Sequence, residues 1–316
     1  MKLRNLLVFI GIVLFIYILS TLDLSETQVI FSSINVIYLV PCVFTVVPVA
    51  LLSNYQWQVL LKHHNMHIGF FRSLKNMFIG YFYGFITPGG IGGYTRILYL
   101  HDRTSIPLKK CVANIVLHNT IDYISLLFIG FIGGFLLTLR FPKLYTFEIL
   151  ILLLIGIIFV LVYVFVVKKE SLQHIFNIVV GSSFFNPYRE KLDGAIEEFY
   201  EDMPLIRDLT SPFILSILGW VLRFFEFYLI AHLFAISIPL VYFIAVFSVA
   251  DVVASIPITI YGLGTRELTL ISLFSLFGIP AENVIGLSLF LFVFAWLLPS
   301  IFGAGITIVE GKNLSC

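Results

Sequence analysis

Two stretches, Leu150 to Val167 and Val284 to Leu298, contain no charged residue and almost no polar one. A helix crosses a hydrocarbon core of ~30 Å with about 20 residues, because each residue rises ~1.5 Å. Runs of this kind are built for lipid. The rest of the chain agrees, since 19 basic and 18 acidic residues make up only 12% of its 316 positions. Soluble domains carry roughly 25% charge. Too little charge is present to coat a soluble surface, so the chain is expected to be an all-α, polytopic integral membrane protein. A soluble enzyme, a nucleic-acid binder and a secreted disulfide scaffold are excluded. Cys42, Cys111 and Cys316 have no metal spacing and read as packing residues without a redox role.

Six segments have spanning length or nearly so: 5–22, 36–58, 111–139, 148–167, 213–235 and 283–308. The first follows Lys2 and Arg4 as a signal peptide would. No small-residue cleavage motif follows, only Asp23-Leu24-Ser25-Glu26, so it reads as an uncleaved span. Two further apolar regions, 76–100 and 241–278, are broken by glycines.

Cytoplasmic loops concentrate Lys and Arg. The first broken region lies between Lys62, Arg72 and Lys75 on one side and Arg103, Lys109 and Lys110 on the other. Basic flanks on both sides put both ends in the cytoplasm and predict a re-entrant hairpin. Its first arm, Asn76 to Ile86, is 11 residues long, about 16 Å of helix and half a membrane. The flanks of the second region, Ile236 to Leu240 and Gly278 to Asn283, hold no Lys or Arg. That predicts a hairpin from the external face, with a pair of tilted full spans as the alternative. Six spans place both termini in the cytoplasm of a plasma-membrane protein, with Arg140 and Lys143 as the external exceptions.

Residues 1–139 then form three spans with a hairpin before the third. The segments 140–167 (fourth span), 168–209 (acidic cytoplasmic connector) and 210–316 (two spans and a hairpin) repeat that order. An odd number of spans per unit inverts the second unit. The glycine turns rhyme, Pro88-Gly89-Gly90-Ile91-Gly92-Gly93-Tyr94-Thr95-Arg96 against Tyr261-Gly262-Leu263-Gly264-Thr265-Arg266. Inverted repeats with broken helices are a recurrent transporter plan. In the connector, Leu192, Ile196, Phe199 and Met203 recur at helical spacing and predict an amphipathic helix, a joint between halves or a partner surface.

An ionised residue at mid-bilayer costs ~2.5–3.5 kcal/mol on insertion scales, so each one within a span needs a reason. Arg96 and Arg266 stand just beyond the glycine turns. Glycine lets backbone N–H groups approach a ligand closely, and a guanidinium holds phosphate in a bidentate fork. An anion site follows, with Gly89, Gly90, Gly92, Gly93, Gly262 and Gly264 admitting the anion; the plain alternative is glycines that let helices cross. A lipid phosphate is the anion available in a membrane. Glu267 and Asp251 are candidates to neutralise an Arg, to bind a coupling proton, or to hold a cationic headgroup. His118 and Asp122 share one helix face; further ligands at metal spacing are missing, so no metal is expected. Arg223 and Glu226, three apart, read as a mutually neutralising pair. His63, His64 and His67 read as a solvated stretch facing headgroups. Nucleophile motifs, a P-loop and a Rossmann fingerprint are missing, so no cofactor is implied.

The Pro88-Gly89-Gly90-Ile91-Gly92-Gly93-Tyr94-Thr95-Arg96 stretch resembles the first signature of the lysylphosphatidylglycerol synthase transmembrane (flippase-like) family, and Gly262-Leu263-Gly264-Thr265-Arg266-Glu267 resembles the second. Asp122 sits where the family often has an Asp in the following helix. The likeness covers nearly the whole chain and includes the small stand-alone UPF0104-type members. It implies movement of a phospholipid or polyprenyl-phosphate-linked lipid between leaflets, without the aminoacyl transfer that larger relatives perform in a separate soluble domain. Where members often carry Arg three residues before the Asp, this chain has Asn119. Two other functions remain open at this point. One is an intramembrane enzyme on a lipid-linked phosphate, with His118 and Asp122 as the only base pair in view. The other is a scaffold that docks a separate lipid-modifying enzyme through the connector.

Overall fold

A computed structural model describes residues 39–104, 106–144, 206–255 and 264–311, together with positions 156 and 262. Segments 5–22 and 148–167, apart from position 156, and the acidic connector up to residue 205 lie outside the described residues. Among the described residues the chain is helical, with no strand. The helices are α1 (Leu39–His63), α2 (Phe70–Ile86), α3 (Arg96–Thr104), α4 (Leu108–Arg140), α5 (Ile206–Ala231), α6 (Leu240–Ser255), α7 (Thr265–Ser275), α8 (Ala281–Leu291) and α9 (Leu298–Gly311). A 3₁₀ stretch, Pro88–Thr95, joins α2 to α3, and a π-helical turn, Phe292–Leu297, joins α8 to α9.

Among the described residues three stretches are long and apolar enough to cross a membrane: Leu108–Arg140, Arg207–Phe234 and Ala281–Val309. They cover the expected spans 111–139 and 283–308 and all but the last residue of 213–235. The last is not a regular helix. Pro299 has no N–H to give the carbonyl of Ala295, and its ring crowds that carbonyl, so the preceding turn widens. The first arm of the expected cytoplasmic hairpin begins at Phe70, six residues before Asn76, and runs for 17 residues. Polar Arg72, Ser73 and Lys75 hid its start from a hydropathy reading, but helical spacing buries Ser73 and Asn76 while Arg72 and Lys75 stay exposed.

Lipid gives helices no hydrophobic reason to associate, so contacts depend on close packing. Small residues supply it at two crossings. A Cβ on Gly133 would lie 2.5 Å from Ser248 Oγ on α6, and one on Gly303 would lie 1.9 Å from the Phe78 carbonyl oxygen on α2. The positions are reciprocal: Gly303 follows Gly133 by 170 residues, and Ser248 follows Phe78 by 170. Local backbone recurs with the same offset. Asn65 and Ala235 both take the left-handed conformation, with φ of 55° and 53°. Met66 N–H donates to the Leu61 carbonyl as Ile236 N–H donates to that of Ala231, at 2.8 and 3.1 Å.

The larger core lies among α4 to α8 and is aromatic, with Phe224, Phe227, Phe234, Phe243, Phe247 and Phe274 fully buried. A second, smaller one surrounds Trp57, Leu61, Met77, Cys111 and Ile115. Here one expectation fails. His64 is buried, and its Nδ1 lies 2.9 Å from Asn114 Nδ2, while Trp57 Nε1 donates to Asn114 Oδ1 at 2.8 Å. A basic loop suggested a solvated triplet, yet only His63 and His67 face outward; His64 turns back under the left-handed residue Asn65 and ties α1 to α4.

Candidate functional site

A cavity of about 440 Å³ opens between the two glycine regions. Its wall carries Arg96, Arg223 and Arg266, the carboxylates of Asp122 and Asp251, and the rings of Tyr81, Trp220 and Trp296. An adjoining cavity of about 160 Å³ shares Arg96, Asp122 and Arg223 and adds His118 and Ser216. Five expected site residues, Arg96, Arg266, Asp251, Asp122 and His118, thus meet in one connected space although they stand on α3, α7, α6 and α4.

Arg96 opens α3. Asn76 Nδ2 on α2 donates to its carbonyl at 3.1 Å, and α2 narrows to Gly80 where the arginine stem passes. A Cβ on Gly80 would stand 3.3 Å from Arg96 Cδ. Arg96 is 8% exposed, and its guanidinium lies 5.4 Å from the Trp57 ring. Its Nη2 donates to Asn119 Oδ1 at 2.5 Å and to His118 Nδ1 at 3.3 Å. Arginine has no acceptor, so His118 Nδ1 accepts and the ring proton sits on Nε2, which makes the imidazole neutral. Every hydrogen-bond partner of the Arg96 guanidinium among the described residues is therefore uncharged.

Arg266 is placed likewise and surrounded differently. It is the second residue of α7, stacked 4.4 Å from the Trp296 ring that the π turn delivers. Its Nη2 donates to Ser288 Oγ at 3.1 Å. Ser288 lies 22 residues beyond Arg266, as His118 does beyond Arg96. The difference is Glu267. Its Oε1 accepts from Arg266 Nε and Nη2 at 3.4 and 3.3 Å and from Ser288 Oγ at 2.7 Å. Its Oε2 accepts from Gly264 N–H at 2.6 Å. That last bond is half of a capping box, since glycine has no side chain to return it. Both carboxylate oxygens are occupied, so Glu267 positions Arg266 and does not face the cavity.

The glycines divide by role. Gly92 N–H donates to Thr87 Oγ1 at 2.6 Å, and a Cβ there would lie 2.0 Å from the Tyr83 carbonyl oxygen. Gly262 has φ +72° and its Cβ would meet Ala254 Cβ at 2.3 Å; Gly264 has φ +87°. These three are required by the turns themselves. Gly93 lines the cavity. Gly89 and Gly90 fall in the same 3₁₀ stretch.

Asp122 Oδ1 accepts from Ser216 Oγ at 2.9 Å, and its carbonyl accepts from Trp220 Nε1 at 3.2 Å, so it joins α4 to α5. Asp251 is 9% exposed, lines the cavity, and makes no hydrogen bond or ion pair among the described residues. Arg223 does not pair with Glu226. It stacks 5.0 Å from the ring of Trp220 and lines both cavities beside Asp122. Arg223, Asn119, Trp57, Trp220, Trp296 and Ser288 escaped the sequence reading as site residues. The signal for Arg223 was present, since it shares a helix face with Gly219 and Ser216; local pairing with Glu226 obscured it. Among the described residues no three His, Cys, Asp or Glu side chains converge as metal ligands do.

Comparison with known proteins places these features in a family context. The model of the lysylphosphatidylglycerol synthase TM region matches residues 5–303. A UPF0104 membrane protein of Methanocaldococcus jannaschii is 21% identical over 95% of this chain and 92% of its own length. A second, of Pyrococcus horikoshii, is 22% identical over 98% of each, and a third, of Methanothermobacter thermautotrophicus, is 23% identical over 84% and 82%.

Proposed function

The chain belongs to the lysylphosphatidylglycerol synthase transmembrane family, and from that premise we propose that it binds a lipid phosphate headgroup and assists its transfer between membrane leaflets. It is a membrane protein with a lipid-related family, and the observation that carries the finer reading is the gathering of three guanidiniums around one cavity between helices. Buried cations in a span are costly, and a phosphate in a guanidinium fork offsets that cost.

In this reading Arg96 and Arg223 grip the phosphate, and Arg266, held by Glu267 and Trp296, closes the far wall. Gly93 admits the headgroup near the turn, while Gly89, Gly90, Gly92, Gly262 and Gly264 set the turns that carry the arginines. His118 and Asn119 aim Arg96, and Asp122 braces the wall that carries Trp220 and Arg223. The ligand is an anionic phospholipid or a polyprenyl-phosphate-linked lipid. The two glycine regions act as re-entrant hairpins from opposite faces, within six full spans of an inverted repeat, in a plasma membrane with both termini cytoplasmic. The 170-residue recurrence of left-handed residues and glycine crossings supports the repeat.

The test is a leaflet-transfer assay in proteoliposomes with a fluorescent phosphatidylglycerol. Arg96→Ala and Arg266→Ala are each expected to lose transfer while remaining folded and monodisperse. Wild-type rates in both variants contradict the site. Chemical conversion of a lipid phosphate in detergent, where leaflets do not exist, replaces the reading with an enzyme.

A further inference from the structure

We propose that Asp251 takes up one proton with each lipid phosphate that enters the cavity, so that anion and proton cross together. The inference rests on the lipid-phosphate reading above and adds what balances the charge.

Near the C-terminal end of α6, Asp251 differs from the other two carboxylates of the site. Glu267 has both oxygens engaged, and Asp122 accepts from Ser216. Asp251 is nine-tenths buried, lines the cavity and has no hydrogen-bond or ion-pair partner among the described residues. Helix α6 packs against α4, α5 and α7. From α7 it is faced by Arg266 and Glu267, from α5 by Arg223 and from α4 by Asp122 and Tyr123, with Arg96, Tyr81 and Tyr94 completing the wall.

The empty site balances. Three guanidiniums are matched by the carboxylates of Asp122, Asp251 and Glu267, and His118 is neutral because its Nδ1 accepts from Arg96. A phosphate diester brings one negative charge that nothing in the wall offsets. In an apolar surround an unmatched charge is costly, and the group that neutralises most readily gives way. Protonating Glu267 sacrifices hydrogen bonds at either oxygen, and protonating Asp122 weakens the one its Oδ1 accepts from Ser216; protonating Asp251 sacrifices none with a described residue. The step is a proton transfer alone: water in the cavity supplies H⁺, a carboxylate oxygen of Asp251 gains an O–H bond, and that O–H becomes a donor for a phosphate oxygen. When the phosphate leaves on the other side, the proton returns to water there. Nothing is oxidised or reduced, and the loaded site carries no net charge.

The probe is phosphatidylglycerol, which has no amine to supply a positive charge of its own. Binding to the full chain in weakly buffered detergent is expected to withdraw one proton per lipid. Apparent affinity is expected to fall by up to about tenfold for each unit of rising pH, as one-proton linkage requires. Asp251→Asn should bind with no proton uptake and no pH slope, at least as tightly as wild type in acid. Wild-type binding without proton uptake, or an unchanged pH slope in Asp251→Asn, overturns the proposal. A second measurement needs no ligand. Infrared spectra should contain a protonated carboxyl C=O band that grows in acid and is missing from Asp251→Asn; a pH-insensitive carboxyl region identical in both proteins also overturns it. Proton-linked binding without leaflet transfer would sink the transfer reading, and with it the joint crossing, and leave proton uptake at Asp251 on binding standing. Transfer without proton uptake does the reverse.

Discussion

Arg96 begins the helix after one glycine turn, and Arg266 stands second in the helix after the other. Each lies against a tryptophan ring, and each reaches a side chain 22 residues farther on. Their charges have different fates. Arg266 is met at 3.3 Å by a carboxylate that also caps its helix. Arg96 hydrogen-bonds only Asn119 and His118 and lies against an indole, with no carboxylate in contact, so its guanidinium remains able to bond a ligand in the cavity. Symmetrical placement has thus produced one arginine that supports the wall and one that presents charge. A binding site assembled from two similar turns does not divide its work equally between them.

The largest expected effect lies on the Arg266 side. Glu267→Ala leaves a buried guanidinium without its counter-charge and an uncapped α7, which should cost about 3–5 kcal/mol, read as a lowered Tm in detergent. Replacing both residues by methionine should cost much less, because a buried pair removed together leaves no unmatched charge. Equal loss in the single and double variants would mean that the pair is not the reason for the burial.

Next come the turns. Gly92→Ala forces a Cβ toward the Tyr83 carbonyl oxygen, and Gly262→Ala adds positive-φ strain to a clash with Ala254. Each should cost about 1–3 kcal/mol, with Gly262 the worse. A Gly93→Ala variant, whose Cβ would stand 3.5 Å from the Gly80 carbonyl oxygen, serves as the tolerated control.

On the Arg96 side the effect moves from stability to binding. Arg96→Ala removes a charge with neutral partners, so Tm should change little while anionic-lipid affinity falls by roughly 10- to 100-fold, the equivalent of about 1.5–3 kcal/mol for charge-assisted hydrogen bonds. A Tm loss as large as that of Glu267→Ala would erase the contrast between the cages. The smallest effect belongs to the rings. Trp57→Leu and Trp296→Leu each remove a cation–π contact of about 0.5–2 kcal/mol beyond packing, and Trp57→Leu should weaken lipid binding more, because Arg96 has no carboxylate to hold it in place.

The helices and the two arginines were readable in the chain because both follow from local pattern. Apolar length specifies a span, and glycine followed by arginine specifies a turn with a cation beyond it. What escaped depends on how distant helices cross. Asn119 reads as a departure from the family pattern, yet α4 brings it to 2.5 Å from Arg96. Arg223 has an acidic neighbour one turn away, but the crossing of α5 over α4 directs it to the cavity beside Asp122. His64 looks solvated among basic neighbours until a left-handed Asn65 turns it under the helix to Asn114. Spacing along one helix carries no information about such pairings. Glu267 was legible as a pairing residue from its position next to Arg266; that it also caps α7 required the backbone.

The central claim is that the cavity holds a lipid phosphate, and the most direct measurement is mass spectrometry of the lipids that remain bound through gentle purification. Wild type is expected to retain an anionic phospholipid or a polyprenyl phosphate that Arg96→Ala loses and that a Glu267→Met/Arg266→Met variant loses only in part. Equal and unselective lipid content in all three proteins would contradict the account.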